Sequence, residues 1–129
     1  MSYRHKELAA GRWFTLTLLD QMANVGSEVE RTISWRERGD AAHSTSALER
    51  ALELMELTID DPKNRKRLKE LTRVREALLD YFCADNQFGS SDKLWRNYFY
   101  AFGYAARNRT LRARAALKAT DRPSESSTR

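Results

Sequence analysis

The sequence is poor in glycine, proline and cysteine. Five glycines and two prolines among 129 residues disfavour a turn-rich β fold. The single cysteine, Cys83, excludes an intramolecular disulfide, which fits a reducing cytoplasm. No stretch approaches the roughly 20 apolar residues that span a bilayer, and the N-terminus "MSYRHKELAAGRW" lacks the continuous apolar core of a signal peptide. We therefore expect one cytoplasmic domain without a membrane partner.

The residues that build common catalytic and metal sites are also scarce. The two histidines, His5 and His43, lie far apart, and neither belongs to the Glu-x-x-His pair of di-iron bundles. One cysteine and two distant histidines disfavour a zinc site. No glycine-rich phosphate loop and no nucleophile elbow occurs. We expect no metal, no cofactor and no catalytic residues of these classes.

Apolar residues recur at three- and four-residue steps in four segments, which predicts four helices. Gly39 supplies a C-terminal stop for the first helix. Ser46 and Glu49 form a capping-box pattern at the start of the second, and Pro62 suits the first position of the third. The predicted helices span about 6–38, 46–60, 62–83 and 92–118.

Four helices with short connections predict an all-α fold, an antiparallel up-down-up-down four-helix bundle over residues 1–118. The remaining residues, 119–129, are polar and lack large apolar side chains. Such a composition predicts a basic, flexible and disordered C-terminal tail.

Positive charge is concentrated in two segments. The net charge is +5 and the predicted pI about 9.6, and residues 105–129 hold seven lysines and arginines against two acids. The second segment opens the third helix, "DDPKNRKRLKELTRVRE", where the helix dipole disfavours cations. Basic patches favour nucleic acid, although a merely solubilising surface is the alternative. The candidate nucleic-acid-binding residues are Lys63, Arg65, Lys66, Arg67, Lys69, Arg73, Arg107, Arg109, Arg112 and Arg114.

We expect these two cationic segments to lie at opposite ends of one subunit, so that a long groove or an oligomer would be needed to use both. If the cations at the start of the third helix instead make structural ion pairs, Glu30 or Glu37 of the first helix are the expected partners.

Aromatic residues crowd the fourth helix. The stretch "LWRNYFYAFGYAA" places rings on nearly every face, whereas an ordinary bundle helix buries one stripe. Tyrosine and tryptophan are enriched at interfaces, which predicts a homo-oligomer. The alternatives are a wide core stripe with scattered surface rings, and a less favoured use in base stacking. The candidate interface residues are Trp13, Trp35, Trp95, Tyr98, Tyr100 and Tyr104.

One pattern is typical of an enzyme. Arg38 and His43 have the Arg-x4-His spacing that resembles the catalytic motif of the HEPN ribonucleases, which are also helical bundles. In that family the two residues come together, usually across a dimer, to cleave RNA. Here Gly39 stands where the family usually has a polar residue, and "GDAA" is typical of a loop. A HEPN-like ribonuclease is therefore the alternative function.

The stretches "ANVGSEVERTISWRERGD" and "ALERALELMELT" resemble the four-helix-bundle family named for intervening sequences in bacterial large-subunit ribosomal RNA. That family includes the accessory variability determinant proteins of diversity-generating retroelements, which are basic homopentamers that bind a reverse transcriptase and its template RNA. The resemblance implies a non-catalytic accessory protein of this kind, and a purely protein-binding bundle is the third hypothesis. The matching residues are Asn24, Glu28, Arg31, Ala51, Leu52, Leu54 and Glu56.

Overall fold

The computed structural model describes residues 11–120, and all regular secondary structure in that part of the chain is helical. The predicted all-α class is therefore confirmed. A 3-10 helix, Pro62–Arg67, leads directly into the third α-helix. The α-helices are α1 (Leu18–Glu37), α2 (Ala41–Asp60), α3 (Leu68–Cys83) and α4 (Asp92–Thr120).

The first predicted helix is interrupted. Residues 11–13 are helical, residues 14–16 turn, and α1 begins only at Leu18. The hydroxyl of Thr17 caps α1 by accepting a hydrogen bond from the backbone N–H of Asp20 at 3.2 Å. The prediction of one continuous helix over 6–38 is therefore wrong at the turn, and residues 1–10 lie outside the described part of the chain.

The second helix begins earlier than predicted. Gly39, with a φ of +80°, ends α1 as expected. Asp40 follows at once and caps α2, because its carboxylate accepts the backbone N–H of His43 at 3.0 Å. Ser46 and Glu49 lie inside α2, so the predicted capping box at its start is wrong.

The last two helices match their predicted positions more closely. Asp61 caps the third segment and Pro62 opens it, although its first six residues form a 3-10 helix before α3 begins. α4 continues to Thr120, so residues 119 and 120 are helical, whereas the predicted tail had included both. The rest of that tail, 121–129, lies outside the described residues.

α1 packs against both α2 and α4, and α3 packs against α2. The apolar stripe predicted for the first helix forms the centre of the core, since Met22, Val25 and Ile33 are fully buried. α3 and α4 line a largely apolar groove of about 630 Å³. The other large buried side chains are Trp13, Met55, Leu57, Leu71, Leu78, Trp95 and Phe99.

Contacts between helix ends fix which ends lie side by side. The indole N–H of Trp13, just before α1, donates to the hydroxyl of Thr58 near the end of α2 at 3.0 Å. The hydroxyl of Ser44, near the start of α2, donates to the carbonyl of Thr32 at 2.8 Å. The end of α2 therefore lies beside the start of α1.

A buried polar network holds this end together. The amide of Gln21 donates to the carbonyl of Trp13 at 3.0 Å and to the carboxylate of Asp61 at 2.8 Å. The amide of Asn64 donates to Gln21 at 2.8 Å and to the carbonyl of Thr58 at 2.9 Å. Because these buried amides are hydrogen-bonded, the network fixes the turn between α2 and α3 without the free-energy cost of burying an unpaired polar group.

Candidate nucleic-acid interface

The second half of α4 continues past the packed part of the bundle. The last buried residue of α4 is Ala106, and every residue from 111 to 120 is exposed. Even the two leucines in this segment, Leu111 and Leu117, are 60% and 68% exposed. We call residues 111–120 the α4 extension. Since it buries no side chain, its surface is open to a ligand.

α4 contains no acidic residue after its first position, Asp92. The guanidinium of Arg109 lies 3.7 Å from the carboxylate of Asp20 on α1, which places this part of α4 beside the start of α1. Arg107, Arg112 and Arg114 make no ion pair with any residue in the described part of the chain. Their charge is therefore available to an anion.

The cations at the start of the third segment divide into two groups. Lys63 has a structural role, since its ammonium binds the carboxylate of Asp61 and donates to the carbonyl of Phe14 at 2.9 Å. Arg67 donates to Glu70 at 2.7 Å. Among residues 11–120 no carboxylate pairs with the remaining candidates, which are Arg65, Lys66, Lys69 and Arg73.

The ion-pair partners differ from those predicted. Glu30 and Glu37 both bind Arg96 of α4, with Nε to Glu30 at 2.9 Å and Nη2 to Glu37 at 3.2 Å. The carboxylates that hold the third-segment cations, Asp61 and Glu70, instead lie two and three residues from their partners along the chain. The prediction of Glu30 or Glu37 is wrong because these residues face α4 and not the 3-10 helix.

Asp61 explains why a cation is tolerated at this helix start. Burial alone raises the pKa of Asp61, but hydrogen bonds from Lys63 and Gln21 outweigh it and hold the pKa below the usual value. The carboxylate is therefore ionised at neutral pH. Its negative charge offsets the unfavourable interaction between Lys63 and the positive helix end.

Both cationic segments lie at the same end of the bundle. Asp61, which opens the third segment, is hydrogen-bonded to Gln21, and Arg109 of α4 reaches the neighbouring residue Asp20. The prediction of opposite ends is therefore wrong. The start of the third segment and the second half of α4 therefore meet beside the start of α1.

The predicted interface aromatics occupy different environments. Trp13 and Trp95 are 8% and 6% exposed and belong to the core of a single chain, so their assignment to an interface is corrected. Trp35 and Tyr98 are half-buried. Burial raises the pKa of Tyr98 to about 12, which keeps its hydroxyl protonated. The rings of Tyr100 and Tyr104 are exposed.

Arg38 and His43 both contact one indole. The guanidinium carbon of Arg38 lies 5.0 Å from the ring centroid of Trp35, and the imidazole of His43 stacks on that ring at 4.5 Å. The Nδ1 atom of His43 is 2.7 Å from a carboxylate oxygen of Asp40. Hydrogen bonds from the backbone N–H and the ring of His43 lower the pKa of Asp40. Both residues are exposed at the corner between α1 and α2.

Comparisons of this chain with protein-family models, with curated proteins and with solved structures found no match. Within residues 11–120 no cluster of three or more side chains suited to a metal ion occurs. None of the helices in that range has both the length and the apolar character needed to cross a bilayer. A function therefore has to rest on the geometry of the chain itself.

Proposed function

We propose that this chain is a non-catalytic, basic helical-bundle protein that self-associates and binds nucleic acid, either RNA or DNA. The observation that carries the proposal is the meeting of both cationic segments at one end, beside an α4 that is free of acids after Asp92. Clustered cations release the counterions condensed on a polyanion, which supplies sequence-independent affinity.

The proposal includes an up-down-up-down course for the four helices and a disordered tail beyond Thr120. The course is supported by the contacts of Trp13 with Thr58 and of Arg109 with Asp20, which bring the ends of α2 and α4 to the start of α1. A basic end built from two cationic segments would let phosphates be contacted from more than one side.

The experiment removes the cations of the α4 extension by the triple substitution Arg112→Gln, Arg114→Gln and Lys118→Gln. We expect affinity for a fluorescein-labelled RNA, measured by fluorescence anisotropy near 0.1 M salt, to fall about tenfold or more. The slope of log affinity against log salt should flatten by up to about 2, since each lost contact on a single strand accounts for roughly 0.7.

A matched control removes the same charge elsewhere, through Arg38→Gln, Arg50→Gln and Lys93→Gln. Arg38 and Lys93 are exposed at the corner between α1 and α2 and at the start of α4, and Arg50 binds Glu28. The control should bind RNA nearly as the unchanged protein does. Equal losses in both variants would show that only net charge matters and would contradict a site at the α4 extension.

Self-association is supported by large apolar side chains that remain at the surface. Phe88 and Leu94 are 61% and 57% exposed, and Leu94 lines the groove between α3 and α4 together with Tyr98. A second copy seated on this surface would bury apolar area, as interface cores do.

The proposal extends to an accessory role for a reverse transcriptase of a diversity-generating retroelement, in which the oligomer would be a pentamer. This part rests on the resemblance carried by α1 and α2. Co-purification of the full chain with such an enzyme and its template RNA tests it, and failure to co-purify while RNA binding persists would restrict the proposal to nucleic-acid binding.

A HEPN-like ribonuclease is the second candidate function, favoured by the packing of Arg38 and His43 against Trp35. The test is incubation of the purified protein with a structured RNA, with His43→Ala as the control. We expect no cleavage by either protein. Cleavage that His43→Ala abolishes would establish the ribonuclease instead.

A further inference from the structure

One exposed face of α4 carries aromatic and cationic side chains in a single row. Its residues follow each other at helical steps of four and three, so they share one side of the helix. All six are exposed. With a rise of about 1.5 Å per residue, the row is about 27 Å long. We call this row the α4 stripe; its residues are Tyr100, Tyr104, Arg107, Leu111, Arg114 and Lys118.

The aromatic part of the stripe is already arranged as a platform. Tyr100 and Tyr104 are 65% and 54% exposed. Their ring centroids are 6.4 Å apart, with an angle of 24° between the ring planes. The guanidinium carbon of Arg107 lies 6.0 Å from the centroid of Tyr100, which is a cation–π distance. The two rings are nearly parallel and open to solvent beside a cation.

This arrangement fits an unpaired base better than a base pair. Aromatic side chains stack on unstacked bases of single strands, whereas bases in a duplex already stack on each other. The bases of a duplex would therefore leave both tyrosine rings uncovered. The cations farther along the stripe, Arg114 and Lys118, would follow the phosphates of the same strand.

We propose that the α4 stripe binds single-stranded nucleic acid, with Tyr100 and Tyr104 stacking on bases and Arg107, Arg114 and Lys118 contacting phosphates. The inference rests on the proposed function and adds the class of ligand to it. At about 3.4 Å per stacked nucleotide, the 27 Å stripe covers at most about eight nucleotides. The footprint of one chain is therefore short.

The experiment compares three labelled probes of about twelve nucleotides by fluorescence anisotropy: an oligothymidylate, a chain of abasic sites with the same phosphates, and a duplex. The unchanged full-length protein should bind the oligothymidylate about tenfold or more tightly than the abasic chain, since stacking contributes through the bases. An oligouridylate of the same length shows whether RNA or DNA is preferred.

The double variant Tyr100→Leu with Tyr104→Leu should lose that preference and bind both chains alike. Its salt slope should stay unchanged, because the phosphate contacts remain. Tyr100→Phe with Tyr104→Phe keeps the rings and should keep the preference. Phe88→Leu is the matched control, since it removes an exposed ring outside the stripe. It lies in the surface proposed for self-association, and it should leave the preference for the oligothymidylate unchanged.

Each contrary result has a distinct meaning. Equal affinity of the unchanged protein for the oligothymidylate and the abasic chain would overturn the stacking inference but leave nucleic-acid binding intact. Failure to bind any of the probes at low salt would overturn both. Loss of self-association in the Tyr100→Leu, Tyr104→Leu variant, with its preference for the oligothymidylate intact, would assign these rings to an interface between copies and overturn the inference.

Discussion

The carboxylate of Asp61 is 3% exposed, yet it accepts hydrogen bonds from the backbone N–H and the ammonium of Lys63 and from the amide of Gln21. Each of these donors comes from the basic end of the bundle. A negative charge inside a positively charged region therefore organises the turn between α2 and α3. An asparagine here would offer one oxygen in place of two, so at least one of the donors from Gln21 and Lys63 would lose its acceptor.

We expect Asp61→Asn to lower the free energy of unfolding by about 2–3 kcal/mol at neutral pH, because hydrogen bonds to a charged group are lost. The contribution should depend on pH. Since the folded pKa of Asp61 lies below that of the unfolded chain, about 3.9, the stabilisation is complete above that value and disappears as pH falls through the folded pKa. Urea denaturation at several pH values measures both effects.

Asp60→Asn provides the control, because Asp60 is the adjacent residue and is exposed. Its stability change should stay within about 0.5 kcal/mol at neutral pH. If the two variants behaved alike, the buried network would not hold this end of the bundle.

α1 and α4 approach each other closely at a glycine. A Cβ atom placed on Gly26 would lie 2.7 Å from the Cβ of Phe99. Because Phe99 Cβ is fixed to the backbone of α4, that clash cannot be relieved by rotating a side chain. Gly26 is therefore the residue that allows the ring of Phe99 to pack into the core.

We expect Gly26→Ala to destabilise the protein by about 1–3 kcal/mol, since overpacking outweighs the gain in helix propensity. Thermal or urea unfolding measures the change. At Gly103 a Cβ atom meets only the guanidinium of Arg107, at 3.6 Å. Gly103→Ala should therefore stabilise by up to about 1 kcal/mol, and destabilisation by both variants to the same extent would contradict the role of the close approach.

The α4 extension adds charge and surface but no packing. A chain that ends after Thr110 should therefore keep its melting temperature within about 2–4 °C, because residues 111–120 bury no side chain. It should lose most of its affinity for nucleic acid. Circular dichroism and fluorescence anisotropy measure the two properties. A large fall in melting temperature would show that the extension is buried between copies.

Large apolar side chains are exposed at the surface of the molecule, and they predict that copies of the chain associate in solution. If copies associate through the exposed apolar residues, light scattering at micromolar concentration should give a mass above the 15.0 kDa of one chain. Leu94→Glu, at the groove between α3 and α4, should lower that mass, because it places a charge in the proposed contact. A clean monomer over the accessible concentrations would remove self-association from the proposal.

The sequence predicted the parts of the fold that follow from regular periodicity. Met22, Val25 and Ile33 recur at helical steps and are buried as expected. The start of α2 was missed because the carboxylate of Asp40 caps the helix before Ser46 is reached. Asp40 and Ser46 are both residue types that cap helices. The sequence alone does not show which of the two begins α2.

The candidate site was less predictable, because it depends on distant contacts. The cationic residues could be named from charge alone, but Gln21 and Asn64 give no signal of the network that anchors Lys63. Aromatic content likewise could not distinguish Trp95, which is buried, from Tyr100, which is exposed. Only the packing of the folded chain distinguishes the buried ring from the exposed one.

Charge is distributed unequally along the bundle. Near the far end of α1, Arg96 is bound by Glu30 and Glu37, and Arg36 by Asp92. Most of the cations in residues 11–120 that lack such partners lie toward the other end. In the electric field of a polyanion this separation of charge produces a torque, which favours orientations in which the basic end faces the polyanion. Productive encounters then become more frequent than for a uniformly charged particle, and added salt slows association by weakening that alignment.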